Sequence, residues 1–357
     1  MFELIEQSVD FMPLEERLQR ARSFSEKMLE WVEGRGEILI VLHDNPDPDS
    51  LASALALCHL FREKIAVEPL IAFSGMIGRS ENLIMAGVLE ILLVPLEIID
   101  VASYNVVCML DTQPLTGNNS LNPDVKVDIV IDHHPLRDAS CGCRWVDVRE
   151  DYGVTATILY EYLIAQEIPI DAKLATAIFY AIKSDTQDLG REANPPDSEA
   201  YLDLFRSVDK QLLYQITNPR QPIEYFRAIR RTLENTRIYG KGVVADMQRV
   251  VYPELVAEMA DFLLKLEGVE TVLTFGQYCN ELVLSLRTSS LDMNAGDMVK
   301  RLLLEVGVGG GHSYVAGGKI SPLPADCAAI RNIEKILTDR FLDELGLLHV
   351  VPLSIEY

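Results

Sequence analysis

The sequence predicts an α/β protein with an N-terminal domain built on a mostly parallel sheet flanked by helices. A smaller C-terminal α/β domain follows, and the active site is expected in the interdomain cleft. Three observations carry this prediction. Short apolar runs recur at 37–43, 67–73, 91–96, 104–110 and 127–131, several of them continuous rather than alternating, as expected for strands covered on both faces of a parallel sheet. Helical periodicity alternates with them. Beyond Gly240 the pattern changes, with two strand-like runs meeting at a tight turn, Cys279-Asn280.

In chain order, residues 14–33 place apolar positions at helical spacing and read as an amphipathic helix. The run 37–43 is a buried strand, closed by Asp44-Asn45-Pro46-Asp47-Pro48-Asp49, where two prolines forbid regular structure. Helix resumes near Ser50, with Asp49 or Ser50 as its expected cap. Helices at 155–167 and 171–183 complete the first domain. Its end is set near 190, where Gly190 to Pro196 breaks the pattern. The domains predicted are therefore 1–190, a helical connector 191–235, a substrate-binding domain 236–345 and a tail 346–357. Within the second domain the expected elements are strand 242–247, helix 253–267, strands 269–278 and 281–288, helix 295–305 and a glycine-rich loop.

Apolar residues make up 48% of the 357 and charged residues 24%, the composition of an ordinary globular chain. No apolar stretch approaches the roughly 18 residues needed to span a bilayer. The N-terminus shows no cleavable apolar core, so the expected location is the cytoplasm, without membrane partners. The formal charge of −22 argues against a protein that grips long nucleic acid through many Lys and Arg contacts, but leaves room for a substrate with a few phosphates. Cys141 and Cys143 have no second cysteine pair to complete a zinc pattern.

The acids sit where strands end: His43 to Asp49, Asp111-Thr112-Gln113-Pro114, and Asp132-His133-His134. In an open parallel sheet, ligands bind beyond the carboxyl ends of the strands, so these residues should meet on one rim. Asp185, after the helix at 171–183, is placed to return there. Any one Asp after a strand is more often a cap or an Asx turn. Together, four packed carboxylates destabilise one another unless cations neutralise them. Two divalent ions meet that need, and mixed oxygen and imidazole donors suit Mn2+ best, with Mg2+, Co2+ or Zn2+ compatible.

The ordered set His43 to Asp49, Asp111, Asp132-His133-His134 and Asp185 resembles the motifs of the DHH phosphoesterase superfamily. Gly309-Gly310-Gly311-His312 resembles the signature of the associated C-terminal (DHHA1-type) domain. The resemblance implies a two-metal phosphoesterase of the nanoRNase-like branch. His43 and Asp47 would hold one ion, Asp49, His133 and Asp185 the other, and Asp111 would bridge them. A hydroxide between the ions would be the nucleophile. His134 would donate a hydrogen bond at the scissile phosphate, and Asp132 would orient a histidine. Arg287 with Gly309, Gly310, Gly311 and His312 would bind the phosphate-bearing end of the substrate. The expected substrates are short oligoribonucleotides, linear dinucleotides or nucleoside 3′,5′-bisphosphates, and a homodimer is among the assemblies the sequence allows. Cyclic-dinucleotide hydrolysis, pyrophosphate hydrolysis and a non-catalytic nucleotide-binding regulator are the alternatives. Asp44, His59, Asp147 and Asp151 are read as structural, the last two as caps of the following helix. The sequence gives no account of a buried Asp128.

Overall fold

The structure, a computed structural model, describes residues 11–311 and 313–355. The chain forms two compact units, Met1–Pro219 and Arg220–Tyr357. Among the described residues, no helix is long and apolar enough to cross a membrane.

In the first unit the continuous apolar runs become strands: β1 (Ile38–Val41), β2 (Leu70–Phe73), β3 (Leu93–Pro95), β4 (Val106–Leu110) and β5 (Ile129–Asp132). β6 (Trp145–Val148) adds the edge. All neighbours pair in parallel, in the order β3-β2-β1-β4-β5-β6. Alternate residues of β1 serve two cores. Ile38 and Ile40 face α1 (Leu14–Val32), α2 (Pro48–Ile65), α3 (Ser80–Val88), α4 (Thr155–Ala165) and α5 (Ala172–Asp185). Leu39 and Val41 face a smaller cluster that includes Leu96, Leu121 and Val127. Connections around that second face are short 3-10 turns and irregular chain rather than long helices.

Two sequence expectations are corrected. Asp47, not Asp49 or Ser50, caps α2: its Oδ1 accepts from the Ser50 amide at 3.0 Å, while Ser50 Oγ accepts from the Asp47 amide at 3.1 Å. Pro48 then occupies the first helical position, where its missing N–H costs nothing. Asp147 is not a cap. It lies inside β6, fully paired with Arg149, Arg20 and Tyr162. Asp128 now has an account. Its Oδ2 accepts from the Val107 amide and its Oδ1 pairs with Lys126, so the carboxylate extends the ladder before β5 begins.

The segment read as a connector is divided. α6 (Pro195–Leu204) and α7 (Lys210–Thr217) bury Ala200, Leu204 and Ile216 in the first core. α8 (Ile223–Glu234) buries Ala228 in the second unit. There a mixed sheet runs in the order β11-β12-β10-β9-β8-β7-β13. Its strands are β7 (Thr236–Tyr239), β8 (Gly242–Arg249), β9 (Thr271–Tyr278), β10 (Glu281–Thr288), β11 (Val308–Gly311), β12 (Val315–Ile320) and β13 (Leu353–Ser354). Only β8 and β9 pair in parallel. α8 and α9 (Glu254–Leu263) cover one face, while α10 (Ala295–Leu302) and α11 (Cys327–Glu344) cover the other. The glycine-rich segment expected as a loop is the edge strand β11. Glycine is needed because α10 packs directly on it: a Cβ at Gly309 would stand 2.6 Å from Val299 and Leu303 side-chain carbons. The segment read as a tail supplies β13.

Candidate metal centre

The strand order of the first unit reverses between β1 and β4, and the carboxyl end of a sheet at such a point is where open α/β folds bind ligands. His43 lies two residues beyond β1, Asp111 directly follows β4, and Asp132 ends β5. Asp47 and Asp49 stand at the start of α2, while Asp185 is the last residue of α5. The fold brings all of them to one rim.

Three groups of side chains have donor atoms within 4.8 Å of one another and could hold a metal ion: His43, Asp47 and Asp111; Asp49, His133 and Asp185; Asp111, His133 and His134. His43 Nε2 stands 3.4 Å from Asp47 Oδ1 and 3.5 Å from Asp111 Oδ2. His133 Nε2 stands 3.6 Å from Asp111 Oδ1 and 4.0 Å from Asp49 Oδ2. Donor atoms bound about 2.1 Å from one ion lie roughly 3.0–3.5 Å apart, so small closures suffice. Asp111 offers one oxygen toward each histidine, the arrangement a bridging carboxylate needs.

The imidazoles are aimed from behind. His43 Nδ1 lies 2.9 Å from the Asp44 carbonyl and His133 Nδ1 lies 3.2 Å from the Tyr152 carbonyl. In each ring the proton belongs on Nδ1, which leaves Nε2 as a free donor to the cluster. Asp49 is fully buried and accepts 2.7 Å bonds from the Thr155 and Ala156 amides at the start of α4. Thr155 Oγ1 donates to Asp111 Oδ1 at 3.0 Å.

Asp132 makes no approach of this kind. Its Oδ1 receives the His134 ring Nδ1 at 2.8 Å and the His133 amide at 2.9 Å, and its Oδ2 receives Gln113 Nε2 at 2.7 Å. Its Oδ1 also accepts from the His134 amide at 3.2 Å, so one carboxylate oxygen meets both the main chain and the ring of that residue.

Electrostatics fit a cation-binding donor set. Burial, with the neighbouring Asp111, Asp185 and Asp47 charges, pushes the Asp49 carboxyl well above the usual carboxylate range. Burial and the Asp47 and Asp111 carboxylates do the same to Asp185. Burial alone would depress His43, but Asp47 and Asp111 hold it well above the ordinary imidazole range. Burial likewise opposes protonation of His134, yet its bond to Asp132 and the nearby Asp111 raise it to about 9. In the metal-free protein, protons therefore stand in for missing positive charge.

The remaining sequence candidates lie in the second unit. Arg287 on β10 is 6% exposed; its Nε donates to Asp261 Oδ1 at 2.6 Å and its Nη1 to Ser285 Oγ at 2.7 Å. Gly310 has open space where a Cβ would stand. His312 lies outside the described residues. Of the residues set aside, Asp44 receives Ser120 Oγ and His59 meets the Pro169 carbonyl, while the neighbouring Asn45 shapes its loop by accepting from the Met76 amide.

Sequence reasoning missed Gln113, Thr155 and Asp197. Gln113 is wholly buried, and its Oε1 accepts from the Arg137 amide and Ser140 Oγ. Its position two residues after Asp111 was the only signal. Thr155 and Asp197 carry no motif and become visible only through what they touch.

Comparison with known proteins agrees with this arrangement. The DHH family N-terminal domain matches residues 37–182, and the DHHA1 domain matches residues 240–339. An uncharacterized protein of Methanocaldococcus jannaschii is 35% identical over 322 residues, covering 88% of this chain and 65% of that protein. The chain thus spans less than two thirds of that relative. A second uncharacterized protein of the same organism is 25% identical, over 89% of this chain and 98% of its own length. An exopolyphosphatase-related protein from Bacteroides fragilis shares the fold, with a TM-score of 0.66 at 17% identity, over 91% of this chain and 97% of that one. With the motif residues of its first unit gathered on one rim and both domains matched in order, the chain carries a DHH family N-terminal domain followed by a DHHA1 domain.

Proposed function

We propose that this protein is a metal-dependent phosphoesterase acting on short oligoribonucleotides, linear dinucleotides or nucleoside 3′,5′-bisphosphates. The observation that carries the reading is the pairing of two donor groups, His43–Asp47 and Asp49–His133–Asp185, on either side of Asp111. Two divalent ions there, Mn2+ best matched to the donors, would polarise a phosphoryl oxygen and acidify water for attack on phosphorus. Asp111, with one oxygen toward each histidine, would serve both positions. His134, anchored through Nδ1 by Asp132, is assigned to donate a hydrogen bond to a phosphate oxygen as charge develops there.

The net charge of −22 favours substrates with few phosphates over long strands. Arg287 and the Gly309–Gly311 backbone, with His312, are assigned to the substrate's distal phosphate. For Arg287 this requires exchanging the Asp261 carboxylate for phosphate, an exchange between two anions that leaves the guanidinium paired. A product-resolved screen with Mn2+ tests the reading. Dinucleotides and a bisphosphate should be cleaved, while cyclic dinucleotides and pyrophosphate should not. Preferential turnover of either of the last two would replace it.

A further inference from the structure

The six residues Tyr152 to Thr157, which lead from β6 into α4, touch three of the candidate ligands. The Tyr152 carbonyl meets His133 Nδ1, the Thr155 and Ala156 amides hold both oxygens of Asp49, and Thr155 Oγ1 holds Asp111. Among the described residues no hydrogen bond runs from this segment to His43 or Asp47; the first of these is steadied instead by the Asp44 carbonyl and the second by Ser50. The start of α4 therefore holds Asp49, His133 and one oxygen of the shared Asp111, while Asp47 is held by its capping bond to Ser50 within α2.

What fixes the start of α4 is Asp197, in the first turn of α6 and fully buried. Its Oδ2 accepts from the Gly153 amide at 2.8 Å and the Asn194 amide at 2.9 Å, and its Oδ1 accepts from Thr157 Oγ1 at 2.7 Å. The approach leaves no room for a side chain at residue 153. A Cβ there would stand 2.6 Å from the Glu192 carbonyl oxygen and 3.0 Å from Asp197 Oδ2. From the other side, the Tyr152 hydroxyl is tied to Glu161 at 2.9 Å and to Arg149 at 3.0 Å. The segment is clamped between two buried polar anchors, and Asp197 is the one that reaches its backbone.

We infer that Asp197 is a positioning residue chiefly for the metal position formed by Asp49, His133 and Asp185, acting through the 152–157 segment, and reaches the other position only through the single Thr155 bond to the shared Asp111. The inference rests on the metal reading above. A residue that merely started α6 would lower stability when replaced, without distinguishing between the two positions.

The test is Mn2+ binding to the metal-stripped full chain, followed by calorimetry and by the electron paramagnetic resonance signal of free Mn2+. Wild type, Asp197→Ala, Asp197→Asn and Thr157→Val are compared, with circular dichroism as the check on folding. Wild type should take up two ions. Asp197→Ala should weaken one of them by about 10–100-fold, the effect usual for removing an outer support, and the other by a clearly smaller factor. Asp197→Asn should recover most of the loss, because its amide oxygen still accepts from Gly153 and Asn194. Thr157→Val should weaken the same ion by a smaller factor, and it decides the matter if Asp197→Ala does not fold. Equal weakening of both ions, unchanged binding in Thr157→Val and Asp197→Ala, or an Asn variant no better than Ala would each overturn the assignment. Uptake of fewer than two ions by the wild type would instead overturn the metal reading on which it rests.

Discussion

Asp111 concentrates the residue-scale physics of the site. It follows β4 in a left-handed backbone conformation, φ 58°, which few side chains other than Asn and Asp accept readily. Strain of this kind persists where the surroundings over-determine it. Here His43 and His133 approach its two oxygens, and Thr155 bonds one of them. Asn tolerates the same backbone but lacks the charge. Asp111→Asn should therefore fold with an unchanged or raised melting temperature without metal, because one of several crowded carboxylates is gone. It should bind Mn2+ poorly at both positions and lose more than about 100-fold in kcat/KM, since a ligand should cost at least what an outer support does. Melting curves with and without Mn2+ check both halves, and two tightly bound ions in this variant would remove Asp111 from the bridging role.

At the scale of elements, the start of α2 combines two tasks in Asp47, cap and donor. Serine caps as well as aspartate but brings no charge, whereas alanine does neither. Asp47→Ser should keep nearly wild-type stability and lose Mn2+ affinity, while Asp47→Ala should lose the affinity and about 1 kcal/mol of stability as well. Equal stability of the two variants in denaturant melts would mean that the capping box carries little.

The rim as a whole should respond to pH. Asp49 and Asp185 hold protons above the usual carboxylate range, and His43 holds one above the usual imidazole range. All three must release them to ligate, so affinity should rise with pH through those windows and fall as pH drops. Mn2+ should bind more weakly at pH 6 than at pH 8, with net proton release detected by calorimetry in buffers of different ionisation enthalpy. Affinity independent of pH would contradict the raised values.

This rim was readable in the sequence because β1, β4 and β5 are continuous apolar runs, each cut off by acids or histidines. β11 and β12 were not readable. Glycine at 309–311, 317 and 318 removes the side chains on which strand recognition depends. The role of Asp197 was hidden for a different reason, since its partners Gly153 and Thr157 are some forty residues away in sequence.

For the whole molecule, composition and topology together constrain the chemistry. The excess of acids, 54 against 32 basic residues, surrounds a donor set that needs cations, and the proposal of short substrates rests on that excess. Domain limits were less legible than the site. Residues 191–219 look like a polar connector, yet Ala200, Leu204 and Ile216 fill the first core, because their helical spacing buries one narrow stripe.

One assay on the Mn2+-loaded chain bears on the proposed two-metal hydrolysis of short substrates. A 5′-phosphorylated dinucleotide and a long unstructured RNA are offered at fixed salt, products are resolved by length, and the Asp111→Asn variant is run alongside. The dinucleotide should yield mononucleotides with a kcat/KM at least about tenfold higher than on the long RNA, and that turnover should be lost in the variant. Two bound ions with no cleavage of the dinucleotide, or internal cuts in the long RNA at equal efficiency, would contradict the proposal.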